Sequence, residues 1–190
     1  LRDDEAALRA AEAPGLDADT DPIKPARVYG ELRKRLARDA IVIGDGGDFV
    51  SYAGKLVESY EPGTFMCIDD WASVGGSLPI ALGAKLARPD RPVYAICGDG
   101  AFGLNMQELE TAARLKLPFI VIIANDCQWG MIKGAQMAAY DARYIGVDFS
   151  DVRYDEVARA MGCHGERVED PRAIPAALER AVKSGKPAVL

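Results

Sequence analysis

Histidine occurs once in this chain of 190 residues, as His164, and the four cysteines (Cys67, Cys97, Cys127 and Cys163) stand far apart with no CxxC pair. A zinc site needs clustered thiolates or imidazoles, so this scarcity argues against one. His164 has no partner at metal or triad spacing and reads as a surface or strand-edge residue, while the cysteines read as buried thiols in a reducing cytosol. No apolar run reaches membrane-spanning length and no signal peptide opens the sequence, so a cytoplasmic protein without a membrane partner is expected. Basic clusters are missing as well. The formal net charge is −6, and the one basic triplet, Arg33-Lys34-Arg35, falls on a helix whose other face is apolar, where it reads as a solvated stripe and not as a nucleic-acid surface.

Apolar residues make up 49% of the chain and charged residues 27%, which places it among globular proteins with enough length for one good core. Strand and helix patterns alternate without an internal repeat, so the expected fold is α/β: a three-layer, doubly wound, mostly parallel sheet with helices on both faces. Residues 1–24 read as a helix to Ala13, ended by Pro14-Gly15, and an extended linker from a preceding domain. The sheet domain is expected over 25–190, cut off at its end because Lys186 to Leu190 stops inside a strand-like run. Helices are expected at Pro25 to Arg38, Asp48 to Ser59, Leu78 to Leu86, Asn105 to Lys116, Tyr154 to Met161 and Pro171 to Lys183. Strands are expected at Ala40 to Ile43, Phe65 to Ile68, Val93 to Cys97, Phe119 to Ala124, Gly165 to Val168 and Ala188 to Leu190. Residues from Gln128 to Asp148 show little periodicity and read as a long substrate-facing loop, in which Trp129 and Met131 are pocket walls or core.

The centre of the chain is the unit from Val93 to Asp126. An apolar strand runs into Gly98-Asp99-Gly100-Ala101-Phe102, a helix follows, and a second apolar strand ends at Asn125. Neighbouring strand ends of an open parallel sheet point into one crevice, so Asp99 and Asn125 are expected to meet although 26 positions separate them. Two hard oxygen ligands suit Mg²⁺, and Gly98 and Gly100 let backbone N–H groups approach an anion, so a magnesium diphosphate site is expected. A second glycine turn, Gly44-Asp45-Gly46-Gly47, closes the strand at Ala40 to Ile43 and is either a tight turn or another anion cradle. A nicotinamide cofactor fits poorly: no G-x-G-x-x-G follows a strand, and Asn125 stands where an acidic residue would end the next one. A phosphate-binding P-loop is excluded for want of Gly-Lys-Ser/Thr.

Gly98-Asp99-Gly100, the residues Ala101 to Ala124 and then Asn125-Asp126 resemble the fingerprint of thiamine diphosphate (ThDP) enzymes, in which a Gly-Asp-Gly is followed at about this interval by a paired Asn. The second Asn is Asp126 here. The resemblance implies a Mg²⁺ held by Asp99, the Asn125 side-chain oxygen and the Cys127 carbonyl. It also implies a diphosphate touched by Gly47, Asp48 and Phe49, and cofactor contacts at Gly98, Gly100, Ala101, Phe102, Gly130 and Met131. Asp70 to Ala84 is similar to the glycine-rich segment of the acetolactate-synthase group; on that likeness the Ala72 carbonyl binds the aminopyrimidine and Val74 wedges the cofactor into its bent shape. Val74 is smaller than the Met usual in that group, and Ala135 stands where that group has a Trp shaping the second-substrate pocket.

The resemblance covers a diphosphate-binding domain and no more. It implies that the activating Glu sits on a pyrimidine-binding domain, normally of a partner subunit, in a homodimer or homotetramer, and that no catalytic residue lies in this stretch. The reaction type it implies is 2-oxo acid decarboxylation with carboligation. A 2-hydroxyacyl-CoA lyase or oxalyl-CoA decarboxylase-like lyase and a non-catalytic ThDP-binding homologue are the alternatives.

Overall fold

The computed structural model describes residues 2–67 and 73–190. Six strands form one wholly parallel sheet: β1 (Ile41–Gly44), β2 (Phe65–Cys67), β3 (Val93–Gly98), β4 (Ile120–Ala124), β5 (His164–Gly165) and β6 (Ala188–Val189), in the spatial order β2-β1-β3-β4-β6-β5. The expected doubly wound sheet is thus the observed one. The strand order reverses between β1 and β3, and that switch point opens a crevice at the carboxyl ends of the strands.

Both faces of the sheet are covered, which is why its central strands read as unbroken apolar runs. Side chains alternate between two cores. Val42, Tyr94, Ile96, Ile120 and Ile122 pack with α2 (Pro25–Arg33), α3 (Asp48–Ser51), α4 (Ala53–Leu56) and α10 (Ile174–Ser184). Ile41, Ile43, Val93, Ala95, Cys97 and Val121 pack with α5 (Ser77–Ala87), α6 (Asp99–Asn105), α7 (Glu108–Arg114) and α9 (Tyr154–Ala160).

Several boundaries differ from the sequence expectation. Helix α1 (Arg2–Leu16) runs through Pro14 instead of stopping before it. A proline in the last turn removes one hydrogen bond at most, and the end of α1 lies against α2 closely enough that a Cβ on Gly30 would come within 2.1 Å of the Leu16 carbonyl oxygen. The second helix ends at Arg33, and the expected single helix after Gly47 is the two short pieces α3 and α4. A new helix, α8 (Gly130–Ala139), replaces the expected irregular loop. None of its residues is buried. Its apolar residues Met131, Ile132 and Met137 are spread around the helix and stay exposed, so α8 carries no readable period.

The basic triplet is paired: Arg33 with Glu58, Lys34 with Asp17 and Glu31, Arg35 with Glu31. Burial raises the Glu31 carboxyl, but hydrogen bonds from Arg27, Lys34 and Arg35 outweigh it and bring it down to about 2. Among the described residues no helix is long and apolar enough to cross a membrane. Cys97 and Cys163 are buried, and Cys67 and Cys127 are partly so. His164 lies on edge strand β5, half-buried, 3.6 Å from Glu166.

Candidate functional site

Segments leave the carboxyl edge of the sheet side by side after β1, β3 and β4, and residues 73–76 ahead of α5 lie beside them. Together they line a cleft of about 850 Å³ that includes Gly47, Asp48, Phe49, Val74, Gly98, Asp99, Gly100, Ala101, Asn125, Trp129, Gly130 and Met131. Gly98 pairs with Ala124 across β3 and β4, so Asp99 and Asn125 each stand one residue beyond the same rung of the ladder. The expected neighbourhood of these two residues therefore follows from strand register alone.

Asp99 does not sit in a free turn, because α6 begins at this residue with Gly98 as its cap. It is 2% exposed. Its Oδ1 accepts the Gly100 N–H at 2.8 Å, and the Cys127 N–H also points at the carboxylate. Its Oδ2 is buried and finds no hydrogen-bond partner among the described residues. Burial pushes this carboxyl above its ordinary range, the Gly100 N–H partly offsets that, and Asp126 adds to it by charge repulsion. Asp48 and Asp126 hold carboxylate oxygens within 3.4 Å of where a Cβ on Gly130 would lie, and no ion pair among the described residues neutralises either of them or Asp99. A buried, half-satisfied carboxylate among further negative charge is the environment that a divalent cation relieves.

Asn125 follows β4 with its amide nitrogen 3.3 Å from Asp151 Oδ1. Cys127 has φ +58°, a strained value for a residue with a side chain, and its carbonyl accepts the Phe149 N–H at 2.7 Å, leaving one lone pair. Among the described residues no three His, Cys, Asp or Glu side chains are grouped to hold a metal by themselves. One carboxylate, one amide and one carbonyl fit a hard ion that takes its other ligands from a bound phosphate or water.

The glycines divide by role. A Cβ on Gly98 meets nothing within 4 Å, and Gly47 at φ +114° is equally open, so both leave backbone bare toward the cleft. A Cβ on Gly100 would lie 2.6 Å from the Trp129 ring, so Trp129 is a wall closed down on this turn. Val74 stands over the other turn, 2.8 Å from a Cβ on Gly46, and is 42% exposed in the cleft, where a wedge would be. Met131 is exposed at the cleft rim.

Phe102 is not brought to the cleft, and Phe49 reaches it only in part. Phe102 is turned into the core edge-on to Tyr154 and does not line the cleft. Phe49 lines it but is 7% exposed, its ring against Tyr29 and its carbonyl accepting the Tyr29 hydroxyl. Ala72 lies outside the described residues.

Asp45 was not singled out by its sequence context. It is fully buried, and its carboxylate accepts the N–H groups of Gly46, Gly75 and Ser77 at 2.8–2.9 Å, which ties the turn after β1 to the start of α5. Its only sequence signal was a carboxylate inside a glycine run at a strand end.

A parallel sheet with two glycine turns, a buried carboxylate and an amide at its switch point defines a cofactor-binding α/β domain of the phosphate-holding kind. Residues 45–190 match the family model for the thiamine pyrophosphate enzyme, C-terminal TPP binding domain. The chain belongs to this family of thiamine pyrophosphate (that is, thiamine diphosphate) enzymes, with acetolactate-synthase-like relatives. It is 42% identical over 98% of its length to the acetolactate synthase large subunit IlvG of Mycobacterium tuberculosis, covering 34% of that protein. It is 37% identical over 80% of its length to 2-hydroxyacyl-CoA lyase 2 of Caenorhabditis elegans, covering 23% of it. The Rhodococcus jostii thiamine diphosphate-dependent 4-hydroxybenzoylformate decarboxylase shares the fold, with a TM-score of 0.83 at 24% identity over 90% of this chain and 32% of that one. The chain thus spans about a third or less of the length of these relatives.

Proposed function

We propose that this chain is the diphosphate- and Mg²⁺-binding domain of a ThDP-dependent enzyme that makes or breaks a C–C bond next to a carbonyl. We further propose that the reaction is acetolactate-synthase-like, a 2-oxo acid decarboxylation with carboligation. The observation that carries this reading is the unpartnered, buried Oδ2 of Asp99 beside the strand-end amide of Asn125. In this reading Asp99, Asn125 and the Cys127 carbonyl hold the ion, and the diphosphate lies along the bare backbone of Gly98 and Gly47. Val74 supports the bend of the cofactor, and Trp129 shuts the Gly98-Asp99-Gly100 turn from solvent. The bound cofactor supplies the carbanion chemistry, and this chain supplies placement, a dry environment and charge balance.

A 2-hydroxyacyl-CoA lyase is the second reading. It is favoured by Ala135, a small residue exposed on α8 where acetolactate synthases carry a Trp, and by the lyase among the relatives. In either case the activating Glu comes from a pyrimidine-binding domain of a partner subunit, and the working unit is a cytoplasmic homodimer or homotetramer. Helix α8 at the cleft rim, none of whose residues is buried, supports such a partner.

Calorimetric titration of ThDP with and without Mg²⁺ tests the site. Binding is expected to need the ion, and Asp99→Ala is expected to weaken the Mg²⁺-dependent affinity by at least tenfold, a loss of about 1.4 kcal/mol. An affinity unchanged in Asp99→Ala removes the metal assignment.

A further inference from the structure

We propose that Asp151 and Arg167 set which end of the Asn125 carboxamide faces the ion, and so act as positioning residues for the metal site. The inference rests on the ion-binding reading above. An amide is nearly symmetric in shape, and strand register fixes where Asn125 stands but not which of its ends turns toward the cleft. Its neighbours decide that. The amide nitrogen lies 3.3 Å from Asp151 Oδ1 and 3.5 Å from the Val152 carbonyl oxygen. Both groups only accept hydrogen bonds, so the reversed amide would set its oxygen against two oxygens. Asn125 Oδ1 is therefore the end left for a cation. Its hydrogen-bond neighbour among the described residues is the Cys127 thiol, a weak donor 3.7 Å away.

Arg167 makes this arrangement persistent. Its Nη1 donates to both carboxylate oxygens of Asp151, at 2.8 and 3.0 Å, while its Nε is anchored by Glu169 at 3.1 Å. The Asp151 and Arg167 side chains are 54% and 31% exposed, and an ion pair so exposed contributes little to stability. What it does accomplish is to lock, from outside, a ligand that stands at the open end of a strand. Outer partners of metal ligands commonly govern affinity in this way, by roughly 10- to 100-fold.

The test is Mn²⁺ titration followed by electron paramagnetic resonance, on the whole protein with saturating ThDP, beside thermal unfolding in EDTA. Asp151→Asn keeps the shape but can offer hydrogens to a reversed Asn125, and it is expected to weaken Mn²⁺ binding about tenfold. Arg167→Gln is expected to weaken it less. The double variant is expected to lose no more than Asp151→Asn, because both act through one amide. Asp151→Glu is expected to recover part of the affinity. Melting temperatures in EDTA should all match the parent. Parent-like Mn²⁺ binding in Asp151→Asn and Arg167→Gln, with binding lost in Asp99→Ala, overturns the positioning role and leaves the site standing. Losses that follow an equal fall in the EDTA melting temperature, without recovery in Asp151→Glu, show a merely structural pair and overturn it too. Absence of ThDP-dependent Mn²⁺ binding in the parent overturns the ion site itself, and this role with it.

Discussion

Asp99 must carry a charge in one of the driest positions of the cleft. One of its oxygens is served by the Gly100 N–H, and the other has no partner among the described residues. In the metal-free protein this is a liability, since ionising a buried, half-satisfied carboxylate costs free energy that a cation would return. Asp99→Asn removes the charge and keeps the shape. Its metal-free form is expected to melt about 2–4 °C above the parent near pH 7, the shift that roughly 1 kcal/mol gives a chain of this size. The sign of the pH dependence follows from the raised carboxyl: both forms are neutral at low pH, so the advantage of the variant is absent below the ordinary 3.8 of an aspartate and grows as pH rises through the raised value. Thermal unfolding in EDTA across pH 3–8 checks this, and a variant that melts below the parent at pH 7 contradicts it. Asp99 and Asn125 were legible in the sequence because each ends an apolar run, and parallel register then brings them together without further information. Asp151 and Arg167 were not, because their meaning lies in a contact between side chains on different loops, with no spacing rule behind it.

At the scale of elements, the strands were legible because a parallel sheet buried on both faces writes itself as apolar runs, as in Phe119 to Ala124. Two helices were misread for opposite reasons. Helix α6 starts at Asp99, in a stretch whose glycines suggested a turn, because capping by Gly98 and burial of Ala101 and Phe102 outweigh the low helix propensity of Gly100 and Gly103. Helix α8 shows no single apolar stripe because Met131, Ile132 and Met137 fall on different sides of it and stay exposed, while Lys133 and Gln136 are tied to Asp148 and Ile145. The turn after β1 shows the same limit at longer range. The partners of Asp45, Gly75 and Ser77, lie 30 and 32 positions away, and its three accepted N–H groups hold two cleft-lining segments in one relation. Asp45→Ala strands those donors in the interior. A cost of about 3 kcal/mol is expected, which lowers the melting temperature by roughly 6–12 °C. The ThDP affinity is expected to fall more than stability alone explains, because Val74 rides on the loop that Asp45 fixes. Urea unfolding and calorimetry on the same preparation check both, and parent-like stability in Asp45→Ala contradicts the bracket.

At the scale of the molecule, the balance of surface and core points outward. Two cores sandwich the sheet, yet one side of the cleft is walled by a helix none of whose residues is buried. Met137 is 61% exposed and Ile145, in the loop that follows α8, is 79% exposed, with Met131, Ile132, Tyr140 and Tyr144 open beside them. So many large apolar side chains left exposed over residues 131–145 fit an interaction surface. Its position at the rim of the cofactor cleft agrees with the proposed docking of a pyrimidine-binding domain, which would bring the activating Glu and close the cleft against water. Two consequences can be separated. Because α8 adds little to the core, Met137→Glu and Ile145→Glu are expected to leave the melting temperature of this domain within about 2 °C of the parent, as surface substitutions usually do. Because a charge at the centre of an apolar interface must be desolvated without a partner, each is expected to weaken assembly by about tenfold or more. Sedimentation velocity across a concentration series reads the second effect. Turnover in a 2-oxo acid decarboxylation assay should fall with the assembled fraction, and the 190 residues alone should bind Mg²⁺-ThDP weakly and turn nothing over. Full activity at concentrations where Ile145→Glu is shown to be dissociated would mean that this face meets no catalytic partner.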